Sequence, residues 1–220
     1  MTRTTVQDYS ITLNDAALFT NQTAVTLTLT APPGTTEMIV SNDGGFSGAT
    51  WESFVSQKPW TITEYEGYTI PRTVYAKFKT SGQISGLYQD DIILDVSAPT
   101  GSLEITGTVG SSVSFGPLSP VTILSPLSDT LTNTVHLPVV MRNARPGFTL
   151  VGLTLSATDD VSGVGEMLIS DDASFADAQR EEYVTEKNWW VPDIGTTTIY
   201  VKYRDRAGNE SEIYADTVTP

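Results

Sequence analysis

Cysteine is absent from this sequence, and histidine occurs once, at His136. The lack of cysteine excludes disulfides, thiol nucleophiles and thiolate metal sites. One histidine cannot supply the several nitrogen ligands of a zinc site. A Ser-His-Asp triad would have to use His136, and no nucleophile elbow lies near it. Glycine-rich phosphate loops are also missing, so we predict that the chain is not an enzyme.

Basic residues are scarce, because 12 Lys and Arg stand against 26 Asp and Glu, giving a net charge of −14. Without a basic stripe the chain is a poor partner for nucleic acid or for anionic membranes. No stretch approaches the ~20 apolar residues of a membrane helix, so we expect no membrane insertion. The opening MTRTTVQDYS has no apolar signal-peptide core. We expect an extracellular or cell-surface protein whose signal has been removed.

Short alternating segments dominate the sequence. VTLTLTA, TVYAKFK and TIYVKYR each alternate apolar and polar residues, which is typical of antiparallel strands with one wet face. Glycine and proline, at 17 and 12 residues, interrupt the chain at short intervals. No segment keeps a helical period. The pattern predicts an all-β protein.

An internal repeat divides the chain. The segment from Glu37 to Trp60 aligns without a gap on the segment from Glu166 to Trp189, with ten of 24 positions identical. LTLTA matches LTLSA before it, and VYAKFK matches IYVKYR after it. A repeat of this length indicates two copies of one domain. We predict two immunoglobulin-like β-sandwich domains in tandem, residues 1–96 and 97–220.

The motifs of the repeat resemble those of bacterial immunoglobulin-like or fibronectin-III-like modules. The resemblance rests on the order of LNDAALFTN, VTLTL, a tryptophan near a lysine, and above all YVKYRDRAGNES. Such modules recur in tandem in large secreted and surface proteins. The resemblance therefore implies a sandwich fold and an extracellular setting, without an enzymatic activity. In the first copy KTSGQIS lacks the Asp and Asn of the second copy's turn.

A long insertion, about residues 108–147, interrupts the second copy, and its VHLPVVMR segment alternates like a strand. Packing on its own module is one interpretation. Because Pro138 lacks an N–H, the segment belongs at a sheet edge, and an apolar edge needs a partner strand. The second interpretation is therefore strand exchange between molecules, with Val6 to Leu13 as a second contact, and a flexible loop is the third. The interaction residues predicted on this basis are Val135, Leu137, Val139 and Met141.

Acidic clusters in the second copy suggest calcium, which prefers six to eight oxygen ligands. The hypothesis places the ion at ATDDVSG and SDDASF, with Asp205 as a further ligand. The alternative is that these side chains cap turns by binding backbone N–H groups. No cofactor other than calcium is expected. The predicted metal ligands are Asp159, Asp160, Asp171 and Asp172.

Two tryptophans, Trp51 and Trp190, have no tryptophan at the matching position of the other copy. Exposed aromatic side chains can stack on sugar rings, so these two are the predicted glycan contacts. We therefore consider two functions. The first is a non-catalytic structural or adhesive module that pairs with itself or with neighbouring modules, forming a filament or layer by β-strand exchange. The alternative is a glycan-binding accessory module of a secreted enzyme, with surface glycans as its partners.

Overall fold

The computed structural model describes residues 8–65, 67–109 and 145–220, and this part of the chain is all β. The helical content of these residues is one 3-10 turn, Asn14–Ala16, and none of them forms a helix that is long and apolar enough to cross a membrane. The strands of the first module are β1 (Ser10–Leu13), β2 (Phe19–Thr20), β3 (Ala24–Thr30), β4 (Thr35–Ser41), β5 (Glu52–Ser53), β6 (Gln57–Thr61), β7 (Pro71–Thr80), β8 (Gln83–Ile84) and β9 (Tyr88–Leu94). Those of the second are β10 (Thr100–Thr108), β11 (Phe148–Thr158), β12 (Val164–Ser170), β13 (Glu181–Glu182), β14 (Glu186–Pro192), β15 (Thr197–Asp205) and β16 (Tyr214–Val218).

The strands form two sandwiches, each made of two sheets. In the first module, the sheet β1-β3-β6 packs against β2-β9-β7-β4-β5, with β8 paired to β7. In the second, β10-β11-β14 packs against β13-β12-β15-β16. No described strand pairs with a strand of the other module. The predicted all-β fold and the tandem of immunoglobulin-like sandwiches are confirmed.

Alternation builds both cores as the sequence predicts. In the first module, Val25, Leu27 and Leu29 of β3 are buried, while the threonines between them face outward or are half-buried. These side chains meet inward-facing residues of β7, among them the fully buried Phe78. The second core repeats this arrangement with residues of β11 against residues of β15. Burial of apolar surface, at roughly 25 cal/mol per Å², therefore stabilises each module separately.

The paired residues of the repeat also occupy equivalent places in the structure. Lys58 binds Glu52 at 2.9 Å, and Lys187 makes the matching ion pair with Glu181. Trp60 packs against the first core and Trp189 against the second. These two tryptophans are therefore part of the scaffold.

The two copies differ at the outer edge of their last strand. In the first module, β2 pairs with β9 in parallel, and the Ile93 N–H donates to the Leu18 carbonyl at 3.0 Å. In the second module, β16 pairs with β15, and within the described residues no strand lies on its other edge. The predicted insertion falls between the end of β10 and the start of β11. Its proposed contact residues Val135, Leu137, Val139 and Met141 lie outside the described residues.

Candidate metal centre at the junction of the two modules

Three aspartates from separate parts of the chain converge where the two modules meet. Asp95 directly follows β9 of the first module, Asp159 directly follows β11 of the second, and Asp205 ends β15. One carboxylate oxygen of each lies within 4.8 Å of the others. Asp95 and Asp205 are only 2% and 3% exposed, and Asp159 is half-buried. Carboxylates so close together repel one another unless a cation or hydrogen bonds compensate them.

Asp159 is held by the loop that follows it. Its Oδ1 accepts hydrogen bonds from the N–H groups of Val161, Ser162 and Gly163, at 3.1, 2.9 and 2.7 Å. The positive φ of Gly163, 73°, turns the chain back toward the aspartate. In the first module only Pro32 and Pro33 separate Ala31 from Gly34, the counterpart of Gly163, so the corresponding loop is shorter.

Asp205 organises the turn that joins β15 to β16. Its Oδ1 accepts from the N–H groups of Gly208 and Asn209 at 2.6 and 2.8 Å, and its Oδ2 accepts from the Asn209 side chain at 2.7 Å. This is the DRAGN turn of the sequence, and the φ of Gly208 is 103°. An aspartate is needed here because a carboxylate can accept all three bonds at once.

Asp95 connects this arrangement to the first module. Its Oδ2 accepts from the Ser162 N–H at 3.1 Å, and its backbone carbonyl accepts from the Asn209 side chain at 2.9 Å. Its Oδ1 accepts from the Ser97 N–H at 3.0 Å. The residue that leaves the first sandwich is therefore bonded to two loops of the second.

The donor set fits a hard cation. All three groups are carboxylates, which suit Ca²⁺, Mg²⁺ or Mn²⁺ rather than metals that prefer sulfur or nitrogen. Among the described residues, no lysine or arginine forms an ion pair with any of the three. The nearby Arg206 instead donates to the Ser162 carbonyl at 3.2 Å. Three carboxylates give half of the minimum six ligands, and carbonyls and water would supply the others.

The remaining predicted metal ligands lie outside this group. Asp160 and Asp171 are exposed. Asp172 lies in the turn after β12, where its carboxylate accepts from the Ser174 hydroxyl and N–H, and these bonds lower its pKa. Its repeat partner Asp43 has a pKa lowered by the N–H groups of Gly45 and Ser47. Both aspartates thus cap equivalent turns.

Asp95 is the member of the group that sequence reasoning missed. The prediction placed the site within the second copy, whereas Asp95 belongs to the first. The signal in the sequence is an aspartate between the apolar end of a strand, IIL, and the SAPTGS opening of the next copy. Asp205 was predicted as a further ligand, and it does lie beside Asp159.

The predicted glycan contacts lie in different modules. Trp51 is half-buried, and the Lys79 ammonium lies 4.6 Å from its ring centroid. Trp190 is also half-buried and pairs with Leu150 across β14 and β11. Sugar stacking at either side chain stays a prediction.

Neither a protein-family model nor a curated protein matches the chain. Several solved structures are similar. Fibronectin(III)-like modules of Clostridium thermocellum CbhA are 12% identical, with 95% of this chain and 93% of that one covered and a TM-score of 0.49. The human OSCAR ligand-binding domain is 11% identical, with 96% and 97% covered and a TM-score of 0.34. A tetra-tandem repeat from the extending region of a large adhesion protein is 10% identical, with a TM-score of 0.23, and the match covers 97% of this chain and 49% of that one.

Proposed function

We propose that this chain is a non-catalytic structural module of an extracellular protein, a spacer whose two sandwiches are held in a fixed relation. The observation that carries the proposal is the burial of Asp95 between two loops of the second module. A simple flexible linker would be exposed and would contain few cross-module bonds. The extracellular setting is supported by the acidic composition and by the tandem repeat of the sequence.

Calcium is the cofactor of the proposed spacer. An ion at Asp95, Asp159 and Asp205 would neutralise three carboxylates that lie within 4.8 Å of one another. It would also bind both modules at once, because Asp95 comes from the first and the other two come from the second. The metal thus stiffens the junction and does no chemistry.

The test is to measure the chain with calcium and with a chelator. Calcium should raise the unfolding temperature of the second module and narrow the distribution of interdomain distances from X-ray scattering. A ligand at 100 times its Kd adds about 2.7 kcal/mol. Asp95→Asn should remove the effect, whereas Asp171→Asn, which deletes the same charge outside the group, should preserve it. If both variants respond to calcium as the original chain does, this site is not used.

Self-assembly through the insertion is the further part of the proposal. The support is the edge of β16, which has no described partner although β9 of the first module is covered by β2. A strand supplied from outside the described part of the chain would pair there as β2 does. Sedimentation of the full chain, compared with a chain lacking residues 108–147, tests this. Monomers of both at high concentration would exclude assembly.

Glycan binding at Trp51 and Trp190 is the rival function. A glycan array with Trp51→Ala and Trp190→Ala as controls separates the two functions. If the chain binds a specific glycan, and if either substitution abolishes that binding, the accessory-module interpretation is favoured over the spacer.

A further inference from the structure

Arg72, at the start of β7, is a buried cation for which the described part of the chain supplies no acidic partner. The residue is only 4% exposed, and none of the described acidic residues forms an ion pair with it. The guanidinium donates to the carbonyl oxygens of Ile70 and, at 2.9 Å, Tyr68. Burial of a charge is costly unless an opposite charge or enough hydrogen bonds compensate it. The position therefore requires an explanation beyond packing.

The bonds that Arg72 makes leave much of its donor capacity unused. A guanidinium has five N–H donors in a fixed plane, and two carbonyl acceptors are present. Its Nε is buried and has no hydrogen-bond partner within the described residues. The ring of Tyr65 lies over the guanidinium, 5.0 Å from its Cζ to the ring centroid. The guanidinium is thus held in one orientation, and some of its N–H donors, among them that of Nε, make no hydrogen bond to the described residues.

The repeat shows that the fold does not need an arginine here. Arg72 lies opposite Ile92 on β9, and the equivalent pair of the second module is Thr197 and Val218. The second module closes this end with residues 193–196, whereas the first uses residues 62–70. The arginine and the longer tyrosine-containing loop are therefore specific to the first module.

Arg72 lines a cavity of about 160 Å³. Two tyrosines, Tyr65 and Tyr75, and two threonines, Thr63 and Thr73, contribute to the wall. Their hydroxyl groups form no hydrogen bond within the described residues, and Thr63, Thr73 and Tyr75 are half-buried. Asn42 fixes another part of the wall, because its side chain donates to the Thr61 carbonyl and accepts from Trp60. The volume is smaller than that of a typical drug-sized pocket and suits one sugar-sized molecule.

We propose that this cavity binds a carboxylated sugar ring, a hexuronic acid unit. The carboxylate would pair with the Arg72 guanidinium, the class of partner that a planar cationic fork prefers. The ring hydroxyls would bond to the threonine and tyrosine hydroxyls, and the apolar face of the ring would lie on the tyrosines. The inference goes beyond the proposed spacer function and does not use the junction aspartates.

The test is an NMR titration of the full, ¹⁵N-labelled chain with sodium D-glucuronate, without added calcium. The ionic strength should be physiological, because charges more than about 8 Å apart are then largely screened and the net negative charge of the protein matters less. Saturable shifts are expected around Thr63, Arg72 and Tyr75, with a Kd in the millimolar range. D-glucose tests the need for the carboxylate, and acetate tests the need for the ring. Each should bind at least tenfold more weakly.

Two variants test the residues. Arg72→Gln should weaken glucuronate binding at least tenfold, and its spectrum shows whether the module remains folded. Tyr75→Phe removes a single hydroxyl and should weaken binding severalfold, whereas Tyr200→Phe, at the equivalent position of the second module, should have no effect. Glucose binding as tightly as glucuronate would overturn the role of the carboxylate. Equal binding of acetate would overturn the sugar assignment, and the absence of saturable shifts at this cavity would overturn the site itself.

Discussion

The same end of the sandwich is closed differently in the two modules. In the first module, Thr80 at the end of β7 bonds to Thr35 at 2.6 Å and to the hydroxyl of Tyr9 at 3.0 Å. In the second, the equivalent position is Asp205, beside Asp159 and facing Asp95. The neutral network shows that the fold does not require acids at this end. Asp159 and Asp205 instead hold the two loops of the second module whose Ser162 and Asn209 bond to Asp95 of the first.

The layer beneath this end also differs, in a compensating way. Tyr9 of the first module stacks on Phe78, with ring centroids 5.3 Å apart. The equivalent residues of the second module are Gly101 and Tyr203, and the hydroxyl of Tyr203 donates to the Ser102 carbonyl at 2.6 Å. The first module thus has tyrosine packed on phenylalanine, where the second has glycine packed on tyrosine. Each pair fills the end of its core. In the first module both residues are large, whereas in the second the tyrosine on β15 occupies the space and the residue on β10 has no side chain.

The largest effect is expected for Gly101→Ala. A Cβ at this position would lie 2.3 Å from the Ser156 carbonyl oxygen and 2.6 Å from the Tyr203 ring. Backbone and a buried ring must move, so we expect the second module to lose about 3 kcal/mol, the upper end of what overpacking usually costs. Urea unfolding followed by NMR cross-peaks of each module measures this. Gly86→Ala, which meets no atom within 4 Å, is the control, and equal losses in both would refute the compensation between Gly101 and Tyr203.

Asp205→Ala should come next. The substitution leaves two backbone N–H groups and the Asn209 amide without their acceptor, which costs about 2–3 kcal/mol in the second module. Thr80→Ala at the equivalent position should cost about 1 kcal/mol, because neutral bonds are weaker. Chemical denaturation in the presence of a chelator separates this loss from any effect of calcium. A gain in stability for Asp205→Ala would show that repulsion among the carboxylates outweighs these bonds.

Tyr203→Phe places in the second core the residue type that the first core has at the equivalent position, Phe78. Loss of the bond to Ser102 should cost about 1 kcal/mol at neutral pH. Burial raises the pKa of Tyr203 well above its ordinary value, with the nearby Tyr183 adding to the shift. The folded state therefore holds this proton more tightly than the unfolded state. The stabilising contribution is complete below the unfolded pKa of about 10 and is lost as the pH rises beyond it.

The pH dependence of unfolding checks that sign. In the original chain, the second module should lose stability above pH 10 more steeply than the first, whose core has Phe78 at this place. The Tyr203→Phe chain should lose this extra slope. An unchanged slope would assign the alkaline sensitivity to other tyrosines.

The smallest effect is expected where the two modules agree. Lys58→Ala and Lys187→Ala each remove an ion pair to a partly exposed glutamate. Such pairs contribute less than about 1 kcal/mol and are weakened by salt. Paired thermal melts at low and high salt should give nearly equal losses in the two modules. A large difference would show that the repeated pairs have different environments.

Sequence patterns predicted the sandwiches well because alternation is a local property. Leu27 and Leu153, for example, can be assigned to the core from their own strands. The turn aspartates were harder. The acidic and polar residues around Asp172 resemble those of a calcium-binding loop. In the structure, however, the Asp172 carboxylate accepts hydrogen bonds from Ser174 of its own turn. These local hydrogen bonds are those of the turn-capping interpretation, and calcium binding at Asp172 stays a prediction.

The junction could be predicted only in part. Asp159 and Asp205 lie in loops of one module, and their proximity follows from the sandwich fold. Asp95 comes close to them through the relative placement of two modules, which no periodicity encodes. Arg72 is a similar case, because it occupies one of the buried positions of the alternating strand β7, where the pattern predicts an apolar residue. Its burial depends on a loop that the repeat does not share.

The bonds at Asp95 also determine how the pair would respond to mechanical force. Residues 95–99 connect the last strand of the first sandwich to the first strand of the second. Tension along the chain loads the bonds to Ser162 and Asn209 before it reaches either sheet. Their rupture would release at most about 17 Å of slack, since an extended chain spans about 3.4 Å per residue. The junction would thus extend first and re-form on relaxation, while both cores stay folded.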